Sequence, residues 1–263
     1  MYPILFEIGP FTLHSLWLFV TIAFIVGIIS FAKIAKRQRL DLGMLFNHGI
    51  SIIFITLLIS RLTFFLGNLQ YYMPTFSLHG LLSFFFIIDK GLSFWGALAG
   101  MLIMFGVVSL KREESILKWL DALIVPLGTG IVIANFGQLL DGQAYGIPTN
   151  LPWGITYESI NVKYTVPVHP TQIYSMLYVS GIISILKKYR KHEFLKHEGN
   201  QTLIAITLYS FIRFLTEFLR GDDVSEIFGI RIASAISLVI FFISGYCLYK
   251  RIKSFKKKPI ITD

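Results

Sequence analysis

Along this chain, apolar runs of about twenty residues alternate with short polar stretches seven times. Roughly twenty apolar residues are needed to cross the hydrocarbon of a bilayer, so the pattern predicts seven membrane-spanning helices. The expected spans cover about 11–32, 45–66, 91–110, 117–139, 171–186, 201–219 and 230–249. Between the second and third, residues 67–90 include Tyr71, Tyr72, Pro74 and Phe84 to Phe86, which predicts an outer loop with an interfacial or re-entrant helix. Gly96 and Gly100 form a GxxxG spacing, the pattern of a helix packed tightly on a neighbour. Residues 141–169 make the longest polar loop. The expected fold class is all-α and polytopic, one integral membrane domain over residues 1–263 with a periplasmic or extracellular cap.

One stretch breaks the apolar pattern where the bilayer gives way to water. In Asp121 to Gly146, the residues Asn135, Gln138, Asp141 and Gln143 fall within nine positions, beside Gly137, Gly142 and Gly146. Polar groups at that depth need partners or a wet cavity. The cluster reads either as a lipid-side active site or as a polar seam between helices.

Composition agrees with the membrane reading: 54% of residues are hydrophobic and 15% charged. A net charge of +9 would suit nucleic acid, but its distribution excludes that partner. Eighteen of the 24 Lys and Arg fall in four clusters, Lys33 to Arg39, Lys111 to Lys118, Lys187 to Lys196 and Lys250 to Lys258. Each follows an apolar run, as cytoplasmic loops do. The expected topology has the N-terminus outside and the C-terminus cytoplasmic, with no cleaved signal peptide. The single cysteine, Cys247, rules out an internal disulfide. No HExxH, CxxC, GxSxG or Walker glycine loop is present, so no metal or other cofactor is expected.

Arg61, Arg213, Arg220 and Arg231 lie outside the four clusters, near the outer ends of spans two, six and seven. Arg213 and Glu217 are spaced i, i+4 and share a helix face, so a self-contained ion pair is one reading. The other is an anion site, since an arginine fork at this depth suits the phosphate of a lipid headgroup. His14 and His169 also lie near the outer face, as structural residues or as proton acceptors.

Five short motifs, in order, are similar to those of bacterial phosphatidylglycerol–prolipoprotein diacylglyceryl transferases. Ile8-Gly9-Pro10 with Leu13-His14 resembles the family's opening. Gly91 to Gly96, GLSFWG, resembles its GxSFHGG motif, and Asn135 to Gly146 resembles GRxGNFxNGExxG. His169 to Tyr174, HPTQIY, matches HPSQLYE, and Tyr209 to Arg220, with Arg213 and Glu217 in phase, matches YGxxRxxxEFFR. The resemblance implies transfer of diacylglyceryl from phosphatidylglycerol to the lipobox cysteine thiol of a preprolipoprotein signal peptide, with glycerol-1-phosphate leaving. It implies a multi-pass protein of the bacterial inner membrane, and Tyr209, Arg213, Glu217 and His14 as catalytic residues. Asn135, Gln138, Gly142, Gln143, Gly146, Arg220, Trp95 and His169 would line the substrate.

The chain departs from that pattern at several positions. Trp95 replaces the motif histidine, Asn135 the signature arginine, Gln138 its asparagine and Gln143 its glutamate; Leu16 replaces a tyrosine and Ser175 an acid. Loss of a cation at Asn135 together with an anion at Gln143 leaves no unpaired buried charge. Arg231 stands where the family carries glutamine and would supply phosphate-binding charge from another helix. Three readings follow: the transferase itself, a related headgroup transferase with another acceptor, or a non-catalytic descendant that binds lipid or lipoprotein.

Overall fold

The computed structural model describes residues 3–8, 11–72, 84, 91–112, 115–158, 162–222, 226–227 and 230–257. The chain divides into two compact units, Met1–Ile34 with Leu120–Asp263, and Ala35–Trp119. Each is described by itself.

The larger unit opens on an antiparallel hairpin of β1 (Ile4–Ile8) and β2 (Phe11–His14), with Glu7 opposite Thr12. The chain then enters α1 (Ser15–Arg37), whose first amide, Ser15 N–H, donates to Pro3 O at 2.9 Å. The first span therefore starts at Ser15 and not at Phe11. Residues 11–14 pair as a strand instead of extending the helix, which places His14 at a strand end.

In the smaller unit, α2 (Gly43–Gly67) is followed by the single turn α3 (Leu69–Tyr72) and by α4 (Phe94–Arg112). The GxxxG spacing marks the seam between α2 and α4. A Cβ on Gly96 would lie 2.8 Å from Ile59 O, and one on Gly100 would lie 3.0 Å from Thr56 Cα. Arg61 of α2 is 2% exposed. Its Nε donates to Phe84 O at 2.9 Å and its Nη1 to Gly91 O at 3.1 Å, while its guanidinium stands 5.5 Å from the Tyr72 ring. This arginine is a backbone clamp on the loop between α2 and α4. Residues 73–83 and 85–90, where the re-entrant helix was expected, lie outside the described residues.

The larger unit continues with α5 (Ile116–Asp141), α6 (Thr171–Lys188), the one-turn α7 (Glu193–Lys196) and α8 (Asn200–Glu217). The small hairpin of β3 (Glu226–Ile227) and β4 (Ile230–Arg231) leads into α9 (Ile232–Lys257). Asp121 of α5 fixes the start of α8. Its carboxylate accepts from Gly199 N–H at 2.7 Å, Thr202 N–H at 2.8 Å and the Thr202 hydroxyl at 2.6 Å. A carboxylate on otherwise unsatisfied N–H groups at a helix start is a favourable arrangement.

Among the described residues, α1, Asn47–Gly67 of α2, α5 and α9 are each long and apolar enough to cross a membrane. Gly96–Leu110 of α4 is a shorter apolar helix, and α6 and α8 have 18 residues each with more polar positions. The surface supports the same environment. In the smaller unit Ile50 is 86% and Leu110 83% exposed and Phe54 faces outward, and in the larger unit Phe24, Phe242 and Ile243 do the same. Apolar faces this extensive need hydrocarbon against them.

Candidate active site

Glu217, the last residue of α8, is 2% exposed and shared by three arginines. Its Oε2 lies 2.9 Å from Arg213 Nη2, so the ion pair expected from the i, i+4 spacing is formed. Its Oε1 lies 2.8 Å from Arg231 Nε and 4.0 Å from Arg220 Nε. Asp222 is the second anion. It accepts from Arg220 Nε at 2.9 Å and again from Arg220 Nη2, a two-pronged pairing, and from Arg231 Nη2 at 2.8 Å. Arg231 further donates to Arg220 O at 2.9 Å and to Asp222 O at 3.1 Å. Three of its five N–H groups therefore donate hydrogen bonds, and its Nε meets Glu217 as an ion pair. With all five side chains ionised, three guanidiniums against two carboxylates leave a net charge of +1.

These neighbours set the ionisation of the loop groups. Burial by itself would raise the Asp222 carboxyl. The hydrogen bonds and charges of Arg220 and Arg231 outweigh it and hold the group below the ordinary carboxylate range. Burial pulls Arg220 down, but Asp222 and Glu217 more than reverse this, so it stays charged.

The amide-bearing end of α5 meets this charge cluster through backbone. Gly142 has φ +75°, the left-handed conformation that ends a helix and favours glycine. The chain then runs along the end of α8. Gly146 N–H donates to His169 O at 2.9 Å, Ile147 N–H to Leu219 O at 2.9 Å, and Gly221 N–H to Tyr145 O at 3.0 Å. Gly146 and Arg220 form an antiparallel bridge. A Cβ on Gly146 would lie 2.5 Å from His169 O and 2.7 Å from Leu219 O, so only glycine permits the approach. On the other side, Gln172 Nε2 donates to Gln143 O at 2.5 Å and the Thr171 hydroxyl to Ala144 O. The glycines and the HPTQIY segment thus serve one purpose, locking residues 142–147 between α6 and the exit of α8.

The other expected site residues divide into two groups. His14 Nδ1 stands 4.0 Å from Asp141 Oδ1, and Gln143 Nε2 donates to Asp141 Oδ2 at 2.7 Å. His169 Nδ1 lies 3.1 Å from the Tyr174 hydroxyl, which accepts from Trp153 Nε1 at 2.8 Å. Asn135 turns inward on its own helix, its Nδ2 donating to Ile131 O at 2.8 Å. Gln138 is half-buried, and its backbone carbonyl accepts the Gln143 N–H at 3.0 Å. Trp95 is the second residue of α4 in the other unit, and its side chain falls outside the description. Asp222 carries more of the cluster than the sequence suggests. The signal for it is Arg220-Gly-Asp222, an acid two residues from an arginine just past a helix end.

Two turns before Glu217, Tyr209 packs against Tyr178 with ring centroids 5.7 Å apart. Tyr209 also lines a cavity of about 140 Å³ between α5, α6 and α8, otherwise formed by apolar side chains such as Leu127, Ile131, Val179 and Ile183. A polar ring thus stands at the edge of a greasy space in the unit that carries the arginine cluster. Among the described residues no group of His, Cys, Asp and Glu is arranged to hold a metal.

Residues 3–250 match the family model described as Prolipoprotein diacylglyceryl transferase. The phosphatidylglycerol–prolipoprotein diacylglyceryl transferase of Clostridioides difficile is 31% identical over 215 residues, 82% of this chain and 81% of the relative. That of Finegoldia magna is 27% identical over 255 residues, 96% of each chain. That of Chloroherpeton thalassium is 25% identical over 260 residues, 96% of this chain and 93% of the relative. The chain, with its arginine-bridged helix end and glycine-locked amide loop, belongs to the prolipoprotein diacylglyceryl transferase family.

Proposed function

We propose that this chain transfers the diacylglyceryl group of phosphatidylglycerol to a prolipoprotein, with the lipobox cysteine of the signal peptide as acceptor. The sulfur of the deprotonated cysteine forms a bond to the terminal glycerol carbon of the diacylglyceryl group. The bond from that carbon to the phosphate oxygen breaks, its electron pair staying on the oxygen, and glycerol-1-phosphate leaves. The barrier falls where the negative charge gathering on the departing phosphate meets fixed cations, and where the thiol loses its proton.

The observation that carries this reading is the pairing of three arginines with two acids, Glu217 and Asp222, among the described residues at the exit of α8. Arg231 bridges the two acids and holds the loop, and Arg213 and Arg220 present the surplus positive charge of the cluster to the phosphate. Glu217 orients both. Tyr209 and the apolar cavity beside it accept an acyl chain of the donor. His14, whose Nδ1 stands 4.0 Å from Asp141 Oδ1, is the candidate acceptor of the thiol proton. Gln143 and His169 line the acceptor side.

Localisation in a bacterial inner membrane rests on the charge pattern. α1, α6 and α9 each end in a basic cluster, at Lys33 to Arg37, Lys187 with Lys188, and Lys250 to Lys257. In α6 and α9 that end is the one farther from the arginine cluster. The 26 residues of α9 separate its two ends by about 39 Å. The site then faces outward, and the C-terminus is cytoplasmic.

A second reading has one specific support. Asn135 brings no cation and directs its amide to Ile131 O, so the donor or acceptor differs from the family's usual one. Both readings are tested by incubating the membrane-reconstituted protein with labelled phosphatidylglycerol and a lipobox peptide. Label on the peptide cysteine supports the first, and label on another acceptor supports the second. Retention of unreacted lipid with no transfer to any acceptor overturns both.

A further inference from the structure

At the lysine-rich end of the larger unit lies a second cavity, of about 210 Å³, that the transfer reaction does not use. It is lined by Phe194, His197, Asn200, Arg251, Ser254 and Phe255. The Phe255 ring stands between Phe194, at 5.5 Å, and His197, at 5.7 Å. Arg251 is half-buried and held from one side only. Its Nη1 donates to Glu198 O at 2.5 Å and to Asn200 Oδ1 at 2.8 Å. The neighbouring Asp121 carboxylate is taken up by Gly199 and Thr202. Both hydrogens on Nη1 are thereby used, while Nε and Nη2, with three N–H groups, have no partner among the described residues.

Those two nitrogens form the side-on edge of the guanidinium, whose parallel N–H groups match two oxygens of one phosphate. The anchoring bonds hold that edge in place before any ligand arrives, so little side-chain entropy is lost on binding. Ser254 adds a hydroxyl, His197 a ring nitrogen, and the two phenylalanines an apolar wall beside them. Lys250, Lys253 and Lys256 follow the same helix and favour an anion nearby. The cavity is thus polar and cationic on one side and aromatic on the other, which is the chemistry of a phosphate carried on something partly apolar.

We propose that this cavity binds a phosphate group, that of an anionic phospholipid headgroup, at the end of the molecule remote from the arginine cluster of Glu217. The test is the melting temperature of the full-length protein in neutral-lipid nanodiscs. It is measured with increasing phosphatidic acid in the bilayer, with added glycerol phosphate, and with inorganic phosphate. Phosphatidic acid is expected to raise the melting temperature, because a ligand bound only by the folded protein stabilises it. Arg251→Gln is expected to weaken the apparent affinity at least about tenfold, the weight of one charge-assisted hydrogen bond. Because Arg251 also braces Glu198 and Asn200, Ser254→Asp is the companion variant. It breaks no hydrogen bond, places a carboxylate at the exposed rim, and is expected to abolish the phosphatidic-acid effect. An equal shift with free glycerol phosphate or inorganic phosphate keeps the site and overturns the lipid assignment. Equal shifts in wild type and Ser254→Asp overturn the site.

Discussion

Gly146 pairs with Arg220 across an antiparallel bridge, so the loop that leaves α5 and the residue that leaves α8 share one piece of backbone. Two approaches make this contact glycine-specific, since a Cβ on Gly146 would meet His169 O and one on Gly221 would meet Gly146 O at 2.4 Å. Neither neighbour is a side-chain tip that can swing aside. Gly146→Ala is expected to destabilise the protein by about 1–3 kcal/mol through overpacking. It is also expected to shift Arg220 and so remove transfer activity. Thermal melting in detergent together with the labelled-lipid assay checks this, and unchanged values in both would show that the bridge tolerates a methyl group.

Glu217 is the shared partner of Arg213, Arg220 and Arg231, and it is almost fully buried. Glu217→Gln removes the anion and leaves three guanidiniums facing one remaining acid. Removing one member of a buried pair costs about 3–5 kcal/mol, so a large fall in melting temperature is expected. Glu217→Asp keeps the charge but shortens the reach, and is expected to recover stability more than activity. A Gln variant as stable as wild type would mean that the cluster is wetter than its burial indicates.

Arg231 tests how the cluster shares its work. Three of its N–H groups hold Asp222 and the Arg220 carbonyl, and its Nε forms an ion pair with Glu217. Arg231→Gln is expected to lower kcat, as the two acids then draw positive charge away from the phosphate. Wild-type rates in Arg231→Gln would remove this residue from the proposed site.

Much of this arrangement was legible in the residues, and the rest was not for identifiable reasons. Helical periodicity showed that Arg213 and Glu217 share a face, and the GxxxG spacing showed where α4 meets α2. Sequence alone puts His14 on the first span because Phe11 and Leu13 lead straight into the apolar run, and the pairing of Phe11–His14 with Ile4–Ile8 is not visible in local periodicity. Asp222 was hidden because its partners arrive from a helix end and a later strand, beyond any local periodicity. Arg61 looked like a candidate for lipid phosphate and instead clamps two carbonyls that follow it by 23 and 30 residues.

That clamp gives a prediction within the smaller unit. Arg61 donates from two nitrogens in a fixed plane to Phe84 O and Gly91 O, and a lysine has only one nitrogen to offer. Arg61→Lys is expected to lose one charged hydrogen bond and leave a carbonyl unsatisfied, about 1–3 kcal/mol. Hydrogen exchange would show faster exchange at Ser93 and Gly96, which follow Gly91. An exchange pattern identical to wild type would show that the loop holds its position without the guanidinium.

Asp222 supplies the pH dependence. Its carboxyl is held below the usual range in the folded protein by Arg220 and Arg231. A depressed folded value means that the ionised form is favoured by folding. The stabilisation is therefore complete above the ordinary carboxylate value, about 4, and is lost as pH falls through the lower folded value. Wild type is expected to melt above Asp222→Asn at neutral pH, with the gap closing only at strongly acidic pH. Because Asp222 also sets the direction of Arg220, the variant is expected to raise KM for phosphatidylglycerol at neutral pH. A melting gap independent of pH down to that range would mean that Asp222 acts through its shape alone, and the charge balance assigned to the cluster would have to be redrawn.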